Sequence, residues 1–400
     1  MKRALGAYSR LLHVPGARGP LVASAIGRLP LGAAGLAVIL LVRATTGSFA
    51  DAGLVDGAFT IGAGVGLPVQ GRLVDRLSQA PVVIPSAIGH AAALVAFAVA
   101  AHADASVGVL CALTAIAGAL VPPLSPCMRS LWASLIGAER DLQAAYALDA
   151  IIIELAFIAG PLLAAGLAAA VSPTVAVLVS AGLAGGGGLA FGLTRASRAW
   201  RSVAGPRHWA GPLRSIGIRV LAASSLGLGF ANGALAIALT AFGAEHGATE
   251  AVGPLISIQA VASMAGGLWY GSRDWAGSVE RRYVIALALL AAGFVPLLVA
   301  ASIPAMGLLI VFAGLTLAPA TAIEYVLIDR VAPAGGSTEA FGWVITATVA
   351  GAGLGSAVAG AVVNGGHVTV GLLLSVGGTL AGAAAAAFGL PALRAAPSSA

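Results

Sequence analysis

The chain has 400 residues, of which 59% are hydrophobic and only 9% are charged. Because about a quarter of the residues in a soluble domain are charged, this composition excludes an ordinary soluble protein and indicates a chain embedded in a lipid bilayer. The net charge is +6 at pH 7. The basic residues stand beside apolar segments, which favours contact with membrane lipid over nucleic-acid binding.

Twelve apolar segments follow one another along the chain between polar, proline and glycine residues. Each is long enough to cross the ~30 Å hydrocarbon core of a bilayer as a helix. They cover residues 21–42, 52–70, 81–101, 106–128, 144–170, 173–193, 217–242, 251–270, 283–302, 304–328, 340–363 and 368–390. The sequence therefore predicts an all-α membrane protein with twelve transmembrane helices.

The basic residues also predict the orientation of these spans. Nineteen of the 21 lysine and arginine residues fall on the side of the membrane that carries both termini, whereas Arg43 falls on the other side and Arg28 lies within span 1. Cytoplasmic loops carry the excess of basic residues in membrane proteins. We therefore predict a multi-pass protein of the cell membrane with both termini in the cytoplasm.

The longest polar stretch divides the chain into two sets of six spans. It predicts an N-terminal bundle, a basic cytoplasmic linker and a C-terminal bundle over residues 1–194, 195–216 and 217–400. The residues from Leu21 resemble those from Leu221, and the residues from Ala144 resemble those from Glu339, so the halves are predicted to be repeats. Gly71 also recurs as Gly266. Six-plus-six repeats are typical of secondary transporters with a site near the membrane midplane.

Motifs of enzymatic chemistry are absent from the sequence. No HExxH or GxSxG motif occurs, and the single lysine, Lys2, rules out a phosphate-binding loop. Two cysteines, Cys111 and Cys127, are too few for a multi-cysteine metal site. We therefore expect no enzyme activity, no cofactor and no metal.

A loop motif follows the second span, where the chain reads PVQGRLVDRLSQAPVV. Gly71, Leu73, Asp75 and Arg76 match the G-x-L-x-D-R core of the loop that marks the major facilitator superfamily. The layout of the whole chain resembles that family too, which implies two pseudo-symmetric six-helix bundles. In the family the acidic residue of this loop interacts with the end of span 11 and helps to hold the outward-open state, so the resemblance assigns that role to Asp75. The arginine that the family uses as its partner is replaced by Gln79.

Span 5 carries a second resemblance, in the segment AFIAGPLLAAG. Gly160 and Pro161 are similar to part of the Gly-Pro signature of antiporters in this superfamily, which implies antiport. A bend in the helix is the alternative reading, because proline is common in membrane helices. The arginine that drug antiporters of the family place within span 4 has no counterpart, since Arg129 comes at the end of that span.

Charged residues inside the spans are the candidates for proton coupling, because such residues are costly in lipid and mark pathways or pairs. Arg28 lies in span 1, and Asp149 and Glu154 lie in span 5. The two carboxylates are about 140° apart around a helix and therefore face different neighbours. We predict that Arg28 and Glu154 form an ion pair whose protonation couples to rocking of the halves. A static pair that fixes the packing of spans 1 and 5 is the alternative.

Polar residues in other spans are candidates for lining a substrate cavity. They are Asn232 in span 7, Gln259 in span 8 and Glu324 in span 10. For Glu324 the alternative is a pair at the end of its helix with Arg330. Asp56 lies near the outer end of span 2, where water is expected to reach it, and is the weaker candidate.

These features together predict a secondary active transporter that exports a small molecule, a drug or a metabolite, in exchange for protons by alternating access. The expected partners are the substrate, protons and membrane lipid, with no nucleic acid. Import of a sugar or other small metabolite is one alternative. A non-transporting membrane sensor built on the same fold is the other.

Overall fold

The computed structural model describes residues 14–136, 139–201, 212–271, 275, 277–332, 337–364 and 366–394, and within these ranges the regular structure is entirely helical. Twelve of the helices are long and apolar enough to cross a membrane. The predicted fold class and number of spans are therefore confirmed. We number these crossings α1 to α12.

The first half of the chain contains two interrupted helices and four continuous ones. α1 comprises Arg18–Arg28 and Pro30–Thr46, α2 is Phe49–Leu77, α3 is Ala80–His102, α4 comprises Val107–Ala119 and Leu124–Leu135, α5 is Glu139–Ala170 and α6 is Pro173–Leu193. The break in α4 was not predicted. It coincides with Pro122 and Pro123, which lack the backbone N–H that a helix interior needs.

The second half repeats this order. α7 is Ile216–Glu245, α8 is Val252–Gly271, α9 is Val279–Phe294, α10 is Ile303–Val331, α11 is Ser337–Val363 and α12 is Val368–Phe388. Between the halves stand a short helix, Arg195–Ala199, and a 3₁₀ turn, Pro212–Arg214. Residues 202–211 of the predicted linker lie outside the described residues, so the division into an N-terminal bundle, a linker and a C-terminal bundle remains a prediction.

Neighbouring helices approach closely where glycine removes the side chain. A Cβ atom on Gly66 of α2 would lie 2.1 Å from the carbonyl oxygen of Ala119 in α4. A Cβ on Gly233 of α7 would lie 1.9 Å from the carbonyl oxygen of Ala352 in α11. Lipid gives no hydrophobic drive for helices to associate, so close backbone contact at small residues takes its place. This accounts for much of the high glycine content.

Two ends of the molecule are distinguished by their packing. We call the end where α1 begins and α12 ends the basal end, and the end that carries the α1–α2 connection at Gly47 the far end. Toward the far end, one continuous apolar core joins both halves and includes Ile39 and Leu239. Toward the basal end, each half has a separate core, one around Trp132 and the other around Tyr283. The halves are thus joined at the far end and distinct at the basal end.

Candidate functional site

Two seams join the halves, and the first runs between α2 and α11. A Cβ on Gly53 would lie 2.3 Å from the carbonyl oxygen of Ser356, and a Cβ on Gly57 would lie 2.7 Å from the carbonyl oxygen of Gly353. The backbone N–H of Phe49 donates a hydrogen bond to the Asn364 side chain at 2.9 Å. Because these contacts lie in the first third of α2, the seam closes the far end.

The second seam runs between α5 and α8 and repeats the first. A Cβ on Gly253 would lie 2.3 Å from the carbonyl oxygen of Pro161, and the Ser257 hydroxyl donates to the carbonyl of Ile158 at 2.7 Å. Gly253 is 200 residues after Gly53 of the first seam, and Pro161 is 195 residues before Ser356, whose carbonyl oxygen holds the equivalent place in that seam. The seams are therefore pseudo-symmetric copies.

This symmetry corrects one detail of the repeat inferred from the sequence. The seam contacts relate the far halves of α2 and α8 by 200 residues, whereas the correspondence of Gly71 with Gly266 requires 195. A shift of five residues turns a helix by about 140° and would place a different face on the seam. In a chain this rich in alanine and glycine, short sequence matches arise by chance. The helix contacts therefore give the correct alignment of α2 with α8, which is an offset of 200 residues.

A cavity of about 190 Å³ lies beside the two seams, between the halves. Five helices contribute to its wall, and most of the lining side chains are apolar: Leu31, Gly32, Gly35, Leu36, Ile39, Asp56, Phe157, Pro161, Ala236 and Ile256. Two pairs in this lining, Leu36 with Ala236 and Asp56 with Ile256, are 200 residues apart. The cavity therefore lies on the pseudo-twofold axis that relates the halves.

Asp56 is the only charged residue among the described residues that line this cavity. It is 6% exposed, so the expectation that water reaches it near the outer end of span 2 was wrong. The Ser356 hydroxyl from α11 is within hydrogen-bonding range of its carboxylate, and Gly35 of α1 brings its backbone close to Oδ1. The available signal in the sequence was an acidic residue between Gly53 and Gly57, the small residues that mark the seam.

The predicted ion pair between Arg28 and Glu154 was wrong, because Arg28 pairs with Asp149 instead. One guanidinium nitrogen of Arg28 donates to Oδ1 of Asp149, and the other donates to the carbonyl of Leu124 at 3.0 Å. Arg129 Nε donates to Oδ2 of the same carboxylate at 3.0 Å. Arg28 and Asp149 are 1% and 0% exposed. The second segment of α4 supplies two of these partners, Leu124 and Arg129, and their positions follow from a helix break that was not predicted.

Glu154 lies on a different face of α5 from Asp149. It is half-buried, and both it and Arg129 stand within electrostatic range of Tyr325 in α10. Tyr325 belongs to the second half, so these two charged residues face across the space between the halves. The 140° separation of Asp149 and Glu154 around α5 explains why one holds α1 and α4 while the other faces α10.

Glu324 lies inside the second half, where it is 4% exposed. Its carboxylate accepts hydrogen bonds from the Tyr283 hydroxyl at 2.6 Å and from the hydroxyl of Ser225. The alternative of an end-of-helix pair with Arg330 was wrong, because Arg330 lies 3.6 Å from Glu280 instead. Glu324 thus joins α7, α9 and α10, and substrate contact by it remains a prediction.

The two amide candidates are also outside the cavity wall described above. The Asn232 side chain donates to the carbonyl of Leu228 within its own helix at 3.2 Å. Gln259 is 7% exposed, and its Nε2 atom has no hydrogen-bond partner among the described residues. A role for these residues in substrate binding remains a prediction.

The loop motif lies at the basal end of α2. A side chain at Gly71 would meet open space, and Leu73 is exposed. Asp75 lies within electrostatic range of Cys127 in α4. Gln79 is fully buried and donates through Nε2 to the carbonyl of Cys127 at 2.9 Å. The residue that replaces the family's arginine therefore ties the start of α3 to α4, while the predicted roles of Asp75 and Arg76 in holding a conformation remain predictions.

The Gly-Pro pair of span 5 lies where α1 crosses α5. A Cβ on Gly160 would lie 2.8 Å from the backbone nitrogen of Ala33, and Pro161 lines the cavity. Gly32 of α1 also allows the two helices to approach closely, because a Cβ there would lie 2.5 Å from the carbonyl oxygen of Ala156 in α5. The pair therefore sets both the helix crossing and part of the cavity wall.

Twelve apolar spans, repeated halves and a cavity on their common axis define a multi-pass membrane protein of the transporter type. A model of the Major Facilitator Superfamily matches residues 21–279, which is more than half of the chain. The chain therefore belongs to the major facilitator superfamily, as the loop motif indicated. Membership supports a membrane transporter rather than an enzyme. No match was found among curated proteins.

Several solved transporters share the fold at low sequence identity. The nucleoside transporter NupG is similar with a TM-score of 0.72 and 14% identity, covering 95% of this chain and 100% of that one. An auto-inhibited peptide transporter of the POT family has a TM-score of 0.67 and 15% identity, with 95% and 97% covered. The human organic anion transporter MFSD10 (TETRAN) has a TM-score of 0.61 and 18% identity, with 93% and 100% covered.

Proposed function

We propose that this protein is a secondary active transporter that exports a small molecule in exchange for protons. The two halves rock about the cavity on their common axis, so that each face of the membrane gains access in turn. The observation that carries the proposal is the placement of this cavity between pseudo-symmetric seams, with a shared core at the far end and separate cores at the basal end. We further propose that the protein lies in the cell membrane with the basal end and both termini in the cytoplasm.

The packing favours alternating access because the contacts that close the far end are of a kind that can separate. The seams consist of backbone contacts at Gly53, Gly57 and Gly253, without any ion pair among the described residues of the seams. Their symmetry means that both can part in one rocking motion. In the present conformation the far end is closed, and substrate is expected to reach the cavity from the basal end.

Glu154 is the proposed proton-coupling residue. It faces Tyr325 across the two halves and has no ion-pair partner among the described residues, whereas Asp149 is held between two arginines. A carboxyl group in such a place can gain or lose a proton without breaking a salt bridge. The free energy available for the exchange is ~2.3 kcal/mol per charge for each 100 mV of membrane potential.

The proposal is tested with purified protein in proteoliposomes that contain a pH-sensitive dye. A pH gradient is imposed, and uridine, dialanine, benzoate or benzyltrimethylammonium is added outside. The first three probes match the substrate classes named for the similar transporters. We expect at least one probe to collapse the gradient faster than in empty liposomes, with uptake of the labelled probe. Binding of a probe without flux would support the sensor alternative, and flux that is independent of pH would contradict proton coupling.

Variants test the role of Glu154 in the same assay. We expect Glu154→Gln to remain folded and to bind the active probe but to lose the dependence of flux on the pH gradient. Glu245→Gln changes an exposed carboxylate at the far end of α7 and serves as the matched control. Unchanged proton coupling in folded Glu154→Gln would remove this residue from the mechanism. The direction in which the gradient drives the probe distinguishes export from import.

A further inference from the structure

We infer that Asp56 is the binding site for a small hydrophobic organic cation, such as an amine or a quaternary ammonium ion, and that this cation competes there with a proton. The inference rests on the proposed function and gives it a substrate class. Three observations carry it: the cavity on the pseudo-twofold axis, the single carboxylate among the described residues of its wall, and the apolar character of the others.

Among the residues that the structure describes, no cation pairs with Asp56, and Arg43 of α1 lies over the ring of Phe49, seven residues earlier on α2. The residues that face it across the cavity or along the seam are uncharged, and they come from five helices: Gly35 of α1, Phe157 of α5, Ala236 of α7, Ile256 of α8 and Ser356 of α11. On α4 the nearby titratable group is Cys111, which lies within electrostatic range of Asp51 rather than of Asp56. Among the described residues, Asp56 forms no salt bridge.

An unpaired carboxylate in such a place is unfavourable. Burial of a charge in apolar surroundings is costly unless a counter-charge accompanies it, and the group otherwise takes up a proton. The Ser356 hydroxyl lies beside the carboxylate but carries no charge, and it donates to the carbonyl of Gly233 at 3.3 Å. Asp56 therefore has two stable states, one neutralised by a proton and one neutralised by a bound cation. Occupation by one excludes the other, which is the requirement for exchange.

The shape and symmetry of the cavity indicate the rest of the ligand. Leu36, Ile39, Phe157 and Ile256 present apolar groups to it, so the uncharged part of the cation is expected to be hydrocarbon or aromatic. At about 190 Å³ the cavity holds a small molecule, since a water occupies ~30 Å³ of the liquid. Ile256 stands where the symmetry would place a second carboxylate. One negative charge on one side of the axis selects a single positive charge on the ligand.

The proposal also explains why the carboxylate lies at the seam. Asp56 sits next to Gly57, on the helix that must part from α11 when the far end opens. The Ser356 hydroxyl of α11 faces the carboxylate of Asp56 across the seam between the two halves. A cation that draws the carboxylate into the cavity would replace this contact and so bias the seam toward opening.

The test measures binding of benzyltrimethylammonium to the purified full-length protein by isothermal titration calorimetry between pH 5 and 9. This probe carries a permanent charge and cannot itself lose a proton. We expect saturable binding that tightens as the pH rises, because a deprotonated Asp56 is the binding form. We also expect proton release on binding, seen as a dependence of the heat on the ionisation enthalpy of the buffer. Benzyl alcohol and benzenesulfonate serve as neutral and anionic probes and are expected not to bind.

Variants separate the carboxylate from its surroundings. Asp56→Asn is expected to weaken binding by roughly tenfold or more, equivalent to ~1.4 kcal/mol, and to abolish proton release. Asp51→Asn lies five residues earlier on the same helix and is expected to bind as the unmodified protein does. Ala236→Leu keeps the charge but fills the cavity, so it is expected to lose binding as well. It keeps the test decisive if Asp56→Asn does not fold.

Several outcomes would overturn the inference. They are the absence of cation binding by the unmodified protein, equal binding by folded Asp56→Asn, and an affinity that does not change with pH. These results are distinguishable from failure of the proposed function. Proton-coupled flux of uridine, dialanine or benzoate without cation binding would leave transport standing and remove the cation class. Cation binding at Asp56 without flux of any probe would support the cation site and contradict transport.

Discussion

The buried cluster of Arg28, Asp149 and Arg129 permits a quantitative prediction about stability. Asp149→Leu removes the one carboxylate that two guanidinium groups share, and leaves Arg28, which is 1% exposed, without a counter-ion. Breaking a buried ion pair from one side costs ~3–5 kcal/mol, because the remaining charge stays buried. The hydrogen bond from Arg28 to the carbonyl of Leu124 at 3.0 Å remains but supplies no negative charge. We therefore expect a loss of about 3–5 kcal/mol in the free energy of unfolding.

The double variant Arg28→Met/Asp149→Leu is expected to regain most of this loss. Replacement of a buried ion pair by apolar side chains of similar volume is often neutral, since neither charge then has to be desolvated. Arg129, whose side chain is 54% exposed, keeps its contact with water when Asp149 is absent. The free energies of unfolding of the two single variants and the double variant form a double-mutant cycle. Its coupling term gives the interaction energy between Arg28 and Asp149.

Unfolding of the purified protein in mixed micelles, followed by tryptophan fluorescence against denaturing detergent, measures these free energies. Glu245→Leu changes an exposed carboxylate and is expected to leave stability nearly unchanged. The reasoning is refuted if Asp149→Leu destabilises the protein no more than Glu245→Leu, or if the double variant loses the sum of the single losses. Proton-coupled flux in the double variant would also show that the pair is a packing device and not the coupling site.

Two further changes test the packing around the site. Gly160→Ala is expected to destabilise the protein by ~1–3 kcal/mol, because its Cβ would lie 2.8 Å from the backbone of α1. Gly166→Ala on the same helix meets no atom within 4 Å and should leave stability unchanged or slightly raised; equal effects in thermal melts would contradict the crossing. Tyr283→Phe is expected to cost ~1–3 kcal/mol, because it removes the 2.6 Å hydrogen bond to buried Glu324. The half-exposed Tyr325→Phe is its control in the same melts, and an equal loss in both would show that the bond to Glu324 contributes nothing.

The sequence by itself determined the class of the protein. Segments of about twenty apolar residues cross a bilayer as helices wherever they occur, so the twelve spans could be counted without knowledge of their packing. The loop motif from Gly71 to Arg76 identified the superfamily because it is a local pattern at a fixed place in the chain. The break of α1 next to Pro30 was likewise local, since proline removes a backbone hydrogen bond.

Only the tertiary structure decided which polar residues meet. Two acidic residues of α5, Asp149 and Glu154, lie at a similar depth in the membrane to Arg28. Asp149 pairs with Arg28 because its side chain faces α1 and α4, whereas that of Glu154 faces away from them. For Asp56 the sequence offered only its position between Gly53 and Gly57, because burial near a helix end depends on whether another helix covers it. Here α11 does so, through glycine contacts between residues about 300 positions apart in the chain. Rotation and contact of helices are three-dimensional quantities, and hydropathy along the chain records neither of them.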